Sequence, residues 1–148
     1  MVTVTPFLWF DADLREVIAF YRSVFPDLVV DGVPPGDGPI VTASVTLADR
    51  TLHLLNGGPL HAGFTEAISL MVTVETQHEL DRLWDGLIDG GGEPGRCGWL
   101  KDRFGLSWQV VPTVLGELLG GPDRPRADRV HAAMLTMDKL DIAALRDA

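Results

Sequence analysis

The chain is poor in the features that mark several protein classes. One cysteine, Cys97, stands among 148 residues, so no intrachain disulfide is available and packing must hold the fold. Basic residues are few: 12 Lys and Arg against 21 Asp and Glu give a formal net charge of −9. Spread along the chain, they offer no footprint for a phosphate backbone, which excludes a nucleic-acid partner. The densest group, Arg124, Arg126 and Arg129, is interleaved with Asp123 and Asp128 and reads as a solvated helix face. No apolar run approaches the roughly 20 residues that span a bilayer, so a membrane partner is excluded as well. The start of the chain lacks a basic stretch, apolar core and small-residue cleavage site, and with the lone thiol this predicts a cytoplasmic protein. Metal spacings are missing too. His53, His61, His78 and His131 are scattered, with no H-x-x-x-H and no C-x-x-C.

What is present is apolar material with clear periods. Hydrophobic residues make up 46% of the chain, enough for one domain-sized core. Thr3 to Phe10 is a β-branched and aromatic run that predicts a strand. Leu14, Val17, Ile18, Tyr21, Val24 and Phe25 then fall on one helical stripe, with Asp13 and Glu16 as a capping pair and Pro26 as the stop. Leu28 to Val33, Ile40 to Leu47 and Thr51 to Leu55 follow as short strands, the last two separated by Ala48-Asp49-Arg50. The pattern restarts about 64 residues on, judged from element starts. Ile68 to Val74 predicts a strand, Thr76 and Glu79 a capping box, and Leu80, Leu83, Trp84, Leu87 and Ile88 a helical stripe ended by Gly90-Gly91-Gly92. Extended pieces follow at Glu93 to Gly98, Trp99 to Asp102 and Ser107 to Pro112, with a hairpin turn at Asp102-Arg103-Phe104-Gly105. Each half therefore reads β, α, β, β, β, an α+β fold of tandem βαβββ modules. Thr113 to Leu119 and Arg126 to Met137 read as appended helices, with Ile142 and Leu145 in a last turn or two.

Two tandem βαβββ units resemble the vicinal-oxygen-chelate superfamily of glyoxalases, bleomycin-resistance proteins and dioxygenases. Several words narrow the resemblance to its PhnB-like branch, which often carries a demethylubiquinone methyltransferase label: Thr5-Pro6-Phe7-Leu8-Trp9-Phe10, Leu55-Asn56-Gly57-Gly58-Pro59, Phe64-Thr65-Glu66-Ala67-Ile68-Ser69, Cys97-Gly98-Trp99-Leu100-Lys101-Asp102 and Ser107-Trp108-Gln109-Val110-Val111-Pro112. The resemblance implies a domain over residues 1–115, with modules 1–60 and 61–115, and a helical extension over 116–148 that covers a sheet edge or a partner subunit. It also implies a cavity ringed by curled sheets and a homodimer.

Metal-using members of the superfamily carry His or Glu near the first and last strand of each module. The matching positions here are Pro6 and its neighbours, Ile68 or Ser69, Gln109, and His53, Leu54 or Asn56. Neutral amides are poor ligands for a divalent transition metal, so no metal and no cofactor are expected. Methyl transfer with S-adenosylmethionine would need a glycine-rich turn between a parallel strand and a helix, and neither glycine run has that setting. Trp9, Asn56, Trp99, Lys101 and Gln109 then line the expected cavity, with rings and hydrogen-bonding groups suited to a small organic ligand. Lys101 and Asp102 read either as a solvated turn or, for the lysine, as the anchor of an anionic ligand. Trp84 belongs to the core, and Trp108 must face away from the cavity if Gln109 faces into it. Cys97 reads as a small buried apolar residue. Glu66 is the carboxylate placed to act as a general base, on position alone. Three functions remain open: a small-molecule binding protein, an enzyme of lyase, isomerase or dioxygenase type using a metal or a Glu base, and a structural dimer with a filled cavity.

Overall fold

Asp13 starts the first helix by accepting the Arg15 amide hydrogen at 2.9 Å, so the cap closes on Arg15 and not on Glu16 as the capping pair predicted. That helix, α1 (Leu14–Val24), buries Leu14, Val17, Ile18, Phe20, Tyr21 and Val24. Its stripe lies against alternate residues of a four-stranded sheet made of β1 (Phe7–Phe10), β2 (Val29–Gly32), β3 (Thr42–Leu47) and β4 (Arg50–Asn56). Leu8, Phe10, Ala43, Val45, Leu52 and Leu54 point to the buried side, the period-two pattern of a half-covered sheet. The strand order is β1-β4-β3-β2, with β1 parallel to β4 and the other pairs antiparallel. Fully burying each of the larger side chains among these contributes about 1.5–3 kcal/mol.

The first strand begins at Phe7, later than the predicted Thr3. Pro6 has no amide hydrogen to continue the ladder, and Met1, Val2 and Val4 stand in solvent.

The second half repeats the order with β5 (Leu70–Val74), α2 (Gln77–Ile88), β6 (Glu93–Pro94), β7 (Trp99–Lys101) and β8 (Ser107–Pro112). Its sheet runs β5-β8-β7-β6, again with a parallel pair, β5 with β8, and antiparallel neighbours. The predicted cap forms: Thr76 Oγ1 accepts the Glu79 amide at 3.2 Å, and its hydroxyl donates to Glu79 Oε2 at 3.1 Å. Leu80, Leu83, Trp84 and Leu87 are buried against Leu100, Trp108 and Val110 of the sheet. Gly90 and Gly91 adopt φ of 73° and 115°, which halts the helix where a Cβ would be strained.

Three helices complete this half: α3 (Thr113–Gly120), α4 (Arg124–Met134) and α5 (Ile142–Asp147). Helix α4 starts two residues before the predicted Arg126, because Pro125 costs no hydrogen bond in the first turn and Asp123 accepts the Arg126 amide. Gln77 ties this tail to the start of α2, donating to the Leu140 carbonyl at 3.1 Å and accepting the Ile142 amide at 2.9 Å. Cys97 and Gly98 donate to the Met137 and Asp138 carbonyls, each at 2.8 Å. Cys97 is half-buried with φ of 57°, so it occupies a tail-pinned corner where an apolar core position was expected.

The computed structural model describes residues 1–61 and 63–148. It resolves into two compact units, Met1–Gly63 and Phe64–Ala148. No helix among the described residues is long and apolar enough to cross a membrane.

Candidate functional site

Asp102 organises the second unit's site from behind. Its carboxylate is 2% exposed and accepts three hydrogen bonds, from the Phe104 amide at 2.9 Å, the Leu106 amide at 3.1 Å and Trp108 Nε1 at 2.9 Å. The expected solvated turn is therefore corrected at this residue. A short side chain that follows the strand's inward direction can satisfy its own turn, and that makes burial of a carboxylate tolerable. The tight turn fixes the register of β7 on β8, pairing Trp99 with Gln109, Leu100 with Trp108 and Lys101 with Ser107. Side chains opposite one another share a face. Leu100 and Trp108 go to the α2 side, while Trp99, Lys101, Ser107 and Gln109 go to the other.

On that other face lies a cavity of about 430 Å³, lined among others by Glu66, Glu93, Arg96, Trp99, Lys101 and Ser107. Lys101 Nζ is 2.6 Å from Glu66 Oε1, the lysine side chain 39% and the glutamate 62% exposed. The hydrogen bond from Lys101 lowers the Glu66 pKa, helped by Glu66's own backbone and the lysine's charge. The same hydrogen bond raises the Lys101 pKa. A carboxylate held this way binds a proton less readily than a free one, which suits electrostatic recognition better than general-base work. Below the pair, Ser107 is 1% exposed and its Oγ has no hydrogen-bond partner. A hydroxyl closed off in this way without a partner costs free energy.

Two of the predicted cavity residues, Trp99 and Lys101, line this space. Gln109 shares their face, and its amide donates to Ser69 Oγ at 2.9 Å. Trp9 and Asn56 belong to the first unit. Trp9 is half-buried, donates from Nε1 to the Gly58 carbonyl at 3.0 Å, and meets His61 edge-on at 5.1 Å between ring centroids. Asn56 is half-buried at the end of β4 beside Phe10 of β1. Ser107, Arg96 and Glu93 were not singled out from the sequence. Only the β7–β8 register brings Ser107 under Lys101, and no short-range motif encodes it.

Neither group implied by the resemblance fits these residues. At the positions where metal-using relatives carry ligands, Gln109 is spent on Ser69, and His53 pairs with Phe7 across the strands, their rings 6.2 Å apart. Among the described residues no three His, Cys, Asp or Glu side chains cluster closely enough to hold an ion. The glycine runs offer no cofactor cradle. A Cβ on Gly57 would sit 2.2 Å from Trp9 Cε2, and one on Gly92 would sit 2.6 Å from the Ile88 Cα and 2.7 Å from the Lys101 carbonyl. Gly58 and Gly91 face open space, but neither run leads from a parallel strand into a helix, the setting that such a cofactor needs.

The sequence model of the family described as 3-demethylubiquinone-9 3-methyltransferase matches residues 2–111. The chain belongs to this family. Among solved structures, the PhnB protein of Bacillus cereus is 28% identical with a TM-score of 0.67, the alignment covering 76% of this chain and 100% of that one. A protein from Pseudomonas aeruginosa shares 23% identity at a TM-score of 0.60, over 76% of this chain and 98% of its own. A glyoxalase/bleomycin resistance protein from Albidiferax ferrireducens shares 14% identity at a TM-score of 0.51, over 74% and 97%. These two share the fold alone. No curated protein matches. The PhnB-like assignment and the tandem glyoxalase/bleomycin-resistance fold expected from the sequence both stand, and the family match ends just before α3, at Val111.

Proposed function

We propose that this PhnB-like protein binds a small organic molecule in the cavity over β7 and β8, without a metal. One observation carries the reading: the second unit holds a space of about 430 Å³ lined by Trp99, Lys101 and Glu66, within the size range of ligand pockets. Trp99 supplies a planar apolar wall, and the Glu66–Lys101 pair supplies charge at the rim. Nothing in the site favours an enzymatic reading, since the pairing of Glu66 weakens it as a base.

The experiment is a thermal-shift screen of aromatic and amphipathic compounds on the purified protein and on Trp99→Leu, with elemental analysis of the same preparation. Compounds should raise Tm in the parent and lose that effect in the variant. Stoichiometric Mn, Ni, Zn or Fe that survives dialysis would refute the metal-free part, and a screen without hits would refute binding. The reading further places the protein in the cytoplasm as a homodimer, residues 1–115 forming the ligand-binding domain and 116–148 its helical extension. Val29, Val41 and Met71 are large apolar side chains left exposed, material for a subunit interface. Sedimentation at micromolar concentration should show the dimer, and a lone monomer would refute it.

A further inference from the structure

We infer that the cavity selects planar aromatic carboxylates, an inference that rests on the small-molecule reading above. Trp99 and Lys101 are two residues apart on one strand and face the same way, so their side chains stand roughly 6–7 Å apart along β7. Ser107 stands directly across from Lys101. A flat acid lying along the strand puts its ring on the Trp99 indole and its carboxylate on the Lys101 ammonium.

The charge order within the site favours an anion. Lys101, at 39% exposed, is the deeper of the paired charges, and Glu66, at 62%, is the shallower. The glutamate therefore holds the ammonium from the more exposed side of the pair. Glu66 Oε1 at 2.6 Å from Nζ shows that a carboxylate oxygen reaches the ammonium in good hydrogen-bond geometry. A ligand carboxylate takes that place and lets Glu66 turn out to water at small cost, because it is already mostly hydrated. Arg96 also lines the cavity, with its guanidinium donating to the Leu135 carbonyl at 2.7 Å. Glu93 reinforces the charge on Lys101. An amine would have to displace Lys101 to reach Glu66, and a neutral amide would leave the ammonium on Glu66.

Three probes that differ only in charge test this: 2-naphthoate, 2-naphthamide and 2-naphthylmethylamine, titrated calorimetrically into the full chain. The acid should bind roughly tenfold or more tighter than the amide, the worth of a charge-assisted hydrogen bond. Lys101→Met should bring the acid down to the amide's level. Glu66→Gln should strengthen the acid, because the internal competitor for Lys101 loses its charge. If a variant fails to fold, the probe comparison on the parent, with ring-to-Trp99 NMR contacts, decides alone. Equal binding of acid, amide and amine, or weaker acid binding in Glu66→Gln, overturns the inference and leaves the small-molecule reading intact. No binding of any probe overturns the inference too, and only a screen that also finds no Trp99-dependent ligand takes the broader reading down with it.

Discussion

Replacing Asp102 by Ala removes the acceptor for three N–H groups at once. The Phe104 amide is half-buried and can turn to water, but Leu106 and Trp108 are each 1% exposed. Leaving a buried donor without a partner costs about 1–3 kcal/mol, so these two set the loss at about 2–6 kcal/mol. Relief from dehydrating the carboxylate offsets part of that and moves the expectation to the lower half of the range. A loss of about 3 kcal/mol is a large share of a stability that for small domains totals about 5–15 kcal/mol. Asp102→Asn is the sharper variant. With its oxygen on the two backbone amides, its NH2 group confronts the Trp108 N–H, donor against donor. In a Trp108→Phe background that clash is gone, so the cost of Asp102→Asn should shrink by about 1–2 kcal/mol. Urea unfolding followed by far-UV circular dichroism measures the parent and the four variants. A loss below about 1 kcal/mol for Asp102→Ala, or strict additivity in the cycle, would refute the view that this carboxylate holds the hairpin that builds the site.

Other predictions follow from single contacts. Gly57→Ala forces the Trp9 ring off its contact with the Gly58 carbonyl, which should cost about 1–3 kcal/mol and red-shift tryptophan emission. Ala48 holds a φ of 54° in the β3–β4 turn, so Ala48→Gly should stabilise by up to about 1 kcal/mol in the same urea assay. Gln77→Ala should accelerate hydrogen exchange at the Ile142 amide, which loses its acceptor, while leaving exchange in the first unit unchanged. Glu66 has a lowered pKa from its Lys101 hydrogen bond, so the pair persists at neutral pH. It breaks as pH falls through that lowered value, or as pH rises through the raised value of Lys101. Carboxyl NMR should place the Glu66 midpoint below the usual glutamate range and move it up toward that range in Lys101→Met.

The elements were legible where periodicity and caps agreed. The Leu14 to Val24 stripe, the Thr76–Glu79 box and the triple glycine each announce a boundary through chemistry within four residues. The first strand was read too long because apolar content at Val2 and Val4 says nothing about whether a partner strand lies alongside. The site was legible in part. Trp99 and Lys101 carry functional side chains on a strand, and alternation puts them on one face. Ser107 was invisible, because an ordinary serine gains meaning only when a register sets it beneath a lysine and leaves its hydroxyl without a partner. Asp102 was misjudged because its place at a hairpin turn suggested solvent, while its burial depends on how Trp108 and two amides fold over it.

Local patterning thus determined the order and type of the elements in each half, the repeat itself, and the lack of a nucleic-acid footprint, since periods of 2 and 3.6 and net charge are properties of the chain read in line. The tertiary structure alone decided which face each strand gives to its helix, that Glu66 meets Lys101 from 35 positions away, and that Ser107 is left wanting a partner. Those are relations between residues distant in sequence, and only the pairing of strands and the closing of turns brings such residues within hydrogen-bond reach.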